Sequence, residues 1–372
     1  MPKNCVISCL KYGPGNWQHM RSFAQRLIAA GWNVKFILSH RFAWMNNLFD
    51  DVHYCTTSNR ALSILSDTLK FLLAPACGPA KVLDQYPFRT LLFVSWHPLN
   101  FFVARTLKKR RPDVRIVAWM HEPYKEQKSA HTGKILAFIL IEYLQQAMLP
   151  FLDVVVVHSP RAFRAFQKRY PQFQGELRQV PLTIMDECPE CDPTEARAFD
   201  LTFVGNAAPA KGIDAFYELV DYVCQRNLDL RLQLVTSSRI EKRLARLAAG
   251  WEKCLHVISS AQLTDESIRQ ACRNSVTVFL PYRETTQSGV LPVAFMCGTP
   301  VIATDIDGLS EYIRDKGNGI VLPLHFSFED ITHSLEHIKA NFSQFSGQAR
   351  QSFSEIWSDK NWEKYYDWFS AD

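Results

Sequence analysis

The chain has 372 residues, 47% hydrophobic and 21% charged, with only 15 Gly and 19 Pro, which excludes a disordered, collagenous or low-complexity protein. At about 150 residues per domain the length predicts two or three domains, each able to bury a core. The formal net charge of +5 hides a split: residues 1–184 carry 24 Lys and Arg against 10 Asp and Glu, and residues 185–372 carry 18 against 27. A basic half beside an acidic half points to an anionic partner for the first half only: nucleic acid, an anionic lipid surface or a phosphorylated acceptor. Lys3 and the short apolar run from Cys5 to Leu10, followed by Lys11, lack the length and cleavage site of a secretory signal. The most apolar stretch, 135–157, is broken by Glu142, Gln145, Gln146 and Asp153, so no membrane-spanning helix is expected. The ten scattered cysteines read as reduced thiols of a cytoplasmic protein.

In chain order, the first half alternates short apolar strands with amphipathic helices. Strands are predicted at 5–10, 34–38, 52–56, 91–95, 115–120 and 154–158. Helices are predicted at 17–30, 58–75, 98–110, 130–150 and 160–169. Met20, Phe23, Ala24, Leu27 and Ile28 recur at helical spacing, and Gly31 ends that helix. Leu92 to Val94 and Val154 to Val157 are apolar on both faces, as buried parallel strands are. This is a βαβ series with right-handed crossovers. Residues 185–199 are acidic and proline-bearing without apolar period, and read as a linker. The pattern then restarts, with strands at 201–204, 230–235, 276–280, 300–303 and 319–322. Helices are expected at 213–225, 239–248, 265–273 (capped by Thr264) and 289–297. Two doubly wound α/β domains facing a central cleft are therefore expected, with ligands at the carboxyl ends of the strands.

Three loops are candidates for chemistry. Tyr12-Gly13-Pro14-Gly15-Asn16 lies between a strand and a helix; it is either a plain βα turn or a close approach of backbone to a ligand. Gly205 to Gly212 ends a strand and presents Lys211, a point charge suited to a phosphate or an ordinary surface lysine. The third runs from Pro281 to Thr304, with Arg283, Glu284, Thr285, Ser288, Gly289 and Val290 between a buried strand and a helix that stops at Gly298. The Ser288 hydroxyl and the Gly289 and Val290 N–H groups can cradle a phosphate, and Glu284 and Thr285 can read a sugar; the alternative is a capped helix of an α/β sheet.

The order of Gly205, Lys211-Gly212, the polar loop, SGVLPVAFMCGTPVIAT and Asp307-Gly308-Leu309-Ser310-Glu311 resembles the C-terminal domain of glycosyltransferase family 4. Gly13 to Val34 resembles that family's glycine loop and first helix, and Val154 to Ser159 its last N-terminal strand, so the likeness spans nearly the whole chain. The resemblance implies a GT-B fold: an acceptor-side Rossmann-like domain over 1–184, a linker over 185–199, a nucleotide-sugar domain over 200–352, and a helix over 353–372 returning to the first domain. It implies retaining transfer of a sugar from a nucleotide-sugar donor, without metal or other cofactor, to a glycan or lipid-linked anionic acceptor. It also implies roles for particular residues. Lys211 would hold the donor diphosphate, with backbone donors from Ser288, Gly289 and Val290. Glu284 or Thr285 would face the donor sugar, His121 the reacting sugar, and Gly13 and Gly15 would line the cleft. The family's strand-end arginine is Asn206 here, and its second glutamate falls on Val293; Arg283, or a basic residue of the other domain, would offset the first loss. These departures keep open a catalytically degenerate protein that binds a nucleotide sugar or a partner.

Other features have plain alternatives. His121-Glu122 is an acid/base pair or a structural histidine. Asp305-Ile306-Asp307 matches a metal-binding D-x-D by chance, as does Cys188-Pro189-Glu190-Cys191 a metal pair, and no metal site is expected. Lys108 to Arg111 is a solvated helix end or part of an anionic-membrane contact; Lys125, Lys128, His131 and Lys134 are placed to meet a lipid diphosphate. Trp357, Trp362, Tyr365, Tyr366, Trp368 and Phe369 are too aromatic for a loose tail and fit either the returning helix or an oligomer contact. No nucleic-acid-binding signature is present. The expected setting is the cytoplasm, on the inner face of the membrane.

Overall fold

A computed structural model describes residues 3–12, 14–45, 49, 51–55, 61–74, 79–121, 132–189, 192, 194–261, 263–285, 287–361 and 369. The chain divides into two compact units. One takes it to Ile184 and adds Phe369 near the end; the other runs from Met185 to Asn361.

The first unit is built on seven parallel strands: β1 (Asn4–Cys9), β2 (Asn33–Ser39), β3 (Val52–Cys55), β4 (Thr90–Phe93), β5 (Arg115–Trp119), β6 (Val154–Val157) and β7 (Glu176–Gln179). Their order is β3-β2-β1-β4-β5-β6-β7. The step from β1 to β4 reverses the direction of growth, which opens a crevice at the carboxyl ends of those two strands. Successive residues of each inner strand face opposite ways. Val6, Leu91, Ile116 and Val155 join one core, and Ile7, Leu92, Val117 and Val156 the other. Both faces are therefore dry, which is why these strands are continuous apolar runs. The second core is roofed by α1 (Pro14–Ala29) through Trp17 and through Met20, Phe23, Ala24 and Leu27 of the predicted row; Ile28, expected in the same row, is exposed, and the helix begins at Pro14 rather than Trp17. The first core is covered by α2 (Ala61–Leu73), α3 (Pro79–Gln85), α4 (Leu99–Arg110), α5 (Thr132–Met148) and α6 (Pro160–Arg169). Phe369 fills the second core, edge-on to Phe23 and Trp32 with ring centroids 5.2 Å from each, and its carbonyl accepts from Thr90 Oγ1.

The second unit holds six parallel strands: β8 (Phe199–Val204), β9 (Leu232–Thr236), β10 (Leu255–Ser259), β11 (Ser275–Leu280), β12 (Val301–Thr304) and β13 (Gly319–Leu322), in the order β10-β9-β8-β11-β12-β13. Its helices are α7 (Ile213–Arg226), α8 (Glu241–Leu244), α9 (Asp265–Arg273), α10 (Val290–Met296), α11 (Phe328–Ala340) and α12 (Phe342–Ile356). Thr264 caps α9 as expected, its hydroxyl accepting from Ser267 N. The helix expected over 239–248 shrinks to α8, which buries no side chain and so gains little from tertiary packing. Ser327 and Asp330 form a capping box at the start of α11, a signal for a helix absent from the predicted set.

The acidic stretch expected as a linker is laid on the second unit. Asp186 pairs with Arg350, Glu187 with Arg269 and Glu195 with Arg273, while Arg197 is buried. Its lack of apolar period is real, but arginines of α9 and α12 compensate the carboxylates. Residue 352, the expected end of the second domain, lies inside α12, and Trp357 packs against Phe295 and Tyr312 of the same unit. Trp362, Tyr365, Tyr366 and Trp368 lie outside the described residues. Among the described residues no helix is long and apolar enough to cross a membrane, and the cysteines are free thiols.

Candidate functional site

In the second unit the direction of growth reverses between β8 and β11, and the loops leaving those strands meet. β8 ends at Gly205, whose φ of +121° suits glycine alone. The turn after β9 holds the loop that follows. Ser238 Oγ donates to Asn206 Oδ1 (2.6 Å) and accepts from Ala207 N (3.0 Å), while Ser238 N donates to Thr236 Oγ1 (3.1 Å). Gly212, with φ +68°, closes the next turn so tightly that a Cβ there would lie 1.8 Å from the Pro281 carbonyl oxygen.

That contact sets Lys211 beside the loop leaving β11. Arg283 N and Glu284 N both donate to the Ala210 carbonyl, at 2.9 and 3.3 Å. The Lys211 ammonium stands 3.8 Å from the Tyr282 ring centroid, a cation–π contact on a buried ring. Burial pushes the Tyr282 phenol up to about 12, so it remains neutral, and its Oη lies 3.3 Å from Ser288 Oγ. Ser288 Oγ also accepts from Leu291 N (3.4 Å) at the start of α10. Val290, which opens that helix, faces Gly205 across 3.8 Å of would-be Cβ contact. The far end of α10 is fixed by two arginines: Arg350 donates to the Met296 carbonyl (2.8 Å) and Arg197 to that of Cys297 (3.4 Å). Asn206, Lys211, Arg283, Glu284, Ser288, Gly289 and Val290 thus belong to one rim at the carboxyl ends of β8 and β11. Arg283 and Glu284 are exposed there. Thr285 turns its hydroxyl onto the Gln287 carbonyl (2.6 Å), tying the loop to itself. Val293, at the position expected for a second glutamate, is buried in α10.

In the first unit Gly15 lies in the opening turn of α1, and Gly13 lies outside the described residues, as do Glu122, Lys125, Lys128 and His131. His121 follows β5 and is joined by two histidines that sequence reasoning left without a role. Strand register pairs Trp119 with Val156, so His121 and His158, each two residues on, become neighbours with ring centroids 4.8 Å apart. His121 Nε2 donates to the Val94 carbonyl (3.1 Å), His158 Nδ1 to that of Val180 (2.8 Å) and His19 Nδ1 to that of Thr183 (3.2 Å). Burial holds His121 down to about 4 and His19 to about 3, and takes His158 well below its ordinary range. All three bonds to carbonyls pull the other way without prevailing. His97, after β4, accepts from Leu99 N at Nδ1 (3.2 Å) and is held at about 4, again by burial. These imidazoles are neutral hydrogen-bonding groups at neutral pH. Among the described residues no cluster of His, Cys, Asp and Glu could hold a metal ion. Cys188 is buried 3.5 Å from Cys297, sulfur to sulfur, and Cys191 lies outside the described residues.

Two Rossmann-like units of these topologies make a GT-B fold. The whole chain superposes on solved structures of that fold at low identity. Sucrose-phosphate synthase from Thermosynechococcus elongatus matches with a TM-score of 0.72 at 14% identity, over 98% of each chain. The pneumococcal O-GlcNAc transferase GtfA, solved with UDP and GlcNAc, matches at 0.72 and 11%, over 100% of each. Anabaena HepE, solved with UDP, matches at 0.70 and 14%, over 98% of each. No curated protein matches the chain. Residues 198–338, which include the rim just described, match the family described as Glycosyl transferases group 1.

Proposed function

We propose that this protein is a retaining glycosyltransferase. It moves a sugar from a nucleotide-sugar donor to a glycan or lipid-linked anionic acceptor, in the synthesis of a surface polysaccharide, lipopolysaccharide or glycolipid. The observation that carries the reading is Lys211, held over Tyr282 where the β8 and β11 loops converge within the matched domain. The UDP present in the HepE and GtfA structures supports a nucleoside diphosphate as the leaving group. Negative charge grows on that diphosphate as the glycosidic bond breaks. A preset ammonium lowers the barrier more than a mobile one, because it does not reorganise during the step. Lys211 and Arg283 neutralise the diphosphate, and Asn206, Ser288 and the N–H groups of Gly289 and Val290 add hydrogen bonds. Glu284 and Thr285 bind the donor sugar. In the first unit we assign His121, neutral and donating to the Val94 carbonyl, to the reacting sugar, and Gly13 and Gly15 to donor binding. Charge stabilisation by these side chains leaves no step that requires a metal, and the enzyme works in the cytoplasm at the membrane's inner face.

A second reading, a protein that binds a nucleotide sugar without transferring it, draws on Asn206 in place of arginine and on the buried Val293. Calorimetric titration with UDP, GDP and ADP, with and without magnesium, separates the two. One nucleotide is expected to bind in the micromolar range, equally without metal, and the matching nucleotide sugar to be consumed when acceptor is added. Lys211→Ala should weaken nucleotide binding roughly 10- to 100-fold, the loss of one charge-assisted contact. Binding without turnover would favour the second reading; unchanged affinity in Lys211→Ala would remove the lysine from its role.

A further inference from the structure

Six of the nine large hydrophobic side chains exposed among the described residues stand on two helices: Leu69, Leu72 and Leu73 on α2, and Ile139, Leu140 and Tyr143 on α5. The helices pack beside one another on the same side of the first sheet. The fold does not need these side chains, because α2 fills the core with Ile64 and Phe71, and α5 with Leu144 and Met148. Leu73 is 77% exposed, Tyr143 65%, Leu69 57% and Ile139 51%. A ridge of this kind on neighbouring helices marks a contact surface.

Its rim is basic. Along α4, α5 and α6 the sequence has nine Lys and Arg and one carboxylate, Glu142. Lys108 is spent inward on Asp153 (2.7 Å), Arg111 lies on the Phe88 ring and Arg110 pairs with Asp84 of α3 (3.4 Å), but Arg105 and Lys109 of α4 are exposed. On the other side Arg169 of α6 reaches Glu142 of α5, and Arg164 and Lys168 stand in solvent.

We propose that this face docks on an anionic lipid bilayer. The leucines of α2 and the Ile139–Tyr143 row of α5 enter the boundary between headgroups and chains, and the exposed cations of α4 and α6 meet lipid phosphates. A second copy of this chain fits less well, since a two-fold contact would set one basic rim against another. A nucleic acid fits less well because the centre is aliphatic, with Tyr143 its one aromatic ring among the described residues. The proposal goes beyond sugar transfer and does not depend on it.

The test is co-sedimentation of the full chain, without nucleotide, with vesicles of phosphatidylcholine alone and vesicles in which about one third is phosphatidylglycerol. Binding is expected only to the second kind and should fall as salt rises. Each cation near the surface strengthens binding about five-fold, so Arg164→Glu with Lys168→Glu should lose at least ~20-fold. Leu69→Glu with Leu73→Glu should lose at least ~10-fold, while nucleotide affinity stays intact in both variants. Equal binding to the two vesicle types, or wild-type binding by both variants, overturns the proposal. So does a wild-type dimer in light scattering that the leucine variant dissolves, which assigns the ridge to a second copy. Loss of nucleotide binding in the wild type would leave the vesicle result untouched.

Discussion

Gly212→Ala is expected to destabilise the second unit by roughly 2–5 kcal/mol: the left-handed backbone costs an alanine ~1–2 and overpacking ~1–3. A methyl group there would sit 1.8 Å from the Pro281 oxygen, so one of the two loops must move. The movement breaks the bonds from Arg283 and Glu284 to Ala210 and displaces Lys211 from Tyr282, so nucleotide binding should fall with stability. Gly250 is the control. Its φ is +85°, but nothing lies within 4 Å of a Cβ added there. Gly250→Ala should cost only the backbone share, ~1–2 kcal/mol, and leave nucleotide affinity alone. Thermal melts of both variants, with calorimetry on each, check this; equal losses in the two would refute the loop-contact account.

Acidification should destabilise the first unit more than any single substitution. An exposed imidazole titrates near 6.5. His19, His97 and His121 titrate at about 3, 4 and 4 when folded, and His158 is shifted the same way. The unfolded chain therefore binds more protons through this window. Stability from these groups is complete above about pH 6.5 and is lost progressively as pH falls toward 4. Each histidine adds ~1.4 kcal/mol per pH unit, so three approach ~4 kcal/mol per unit, against a total of 5–15 for a typical domain. Urea midpoints measured from pH 7.5 to 5 should fall steeply below 6.5. His19→Asn replaces Nδ1 with a non-titrating amide donor for the Thr183 carbonyl, and should flatten the slope by about one histidine's share. A stability that stays level from pH 7.5 to 5 would show that these imidazoles remain solvated.

The inner strands are legible in the sequence because burial on both faces makes them unbroken apolar runs, as with Val154 to Val157. One edge strand of each sheet is not. β7 (ELRQ) is polar, and β10 (LHVIS) leaves His256 and Ile258 in water, so neither carries the signal of a central strand. The rim of the second unit is legible because its glycines, Lys211 and Ser288 are local to strand ends. What holds the rim is not. Ser238 reaches Asn206 from a different loop, and Arg197 and Arg350 reach the end of α10 from 100 and 54 residues away. The histidine pair lies between these cases: two histidines at the same offset beyond adjacent strands are neighbours only once the register of β5 and β6 is known.

Phe369 has a consequence for the order in which the protein is made. A domain usually finishes folding as it leaves the ribosome, amino-terminal first. Here the core beneath α1 lacks the Phe369 ring until residue 369 is synthesised. At about 5–20 residues per second, the interval between Ile184 and Phe369 lasts roughly 10–40 s. The second unit needs nothing beyond Asn361 and can close first. During that interval the nascent first unit presents Phe23 and Trp32 without their cover, so it is the half of the chain that most needs a chaperone while translation is still under way.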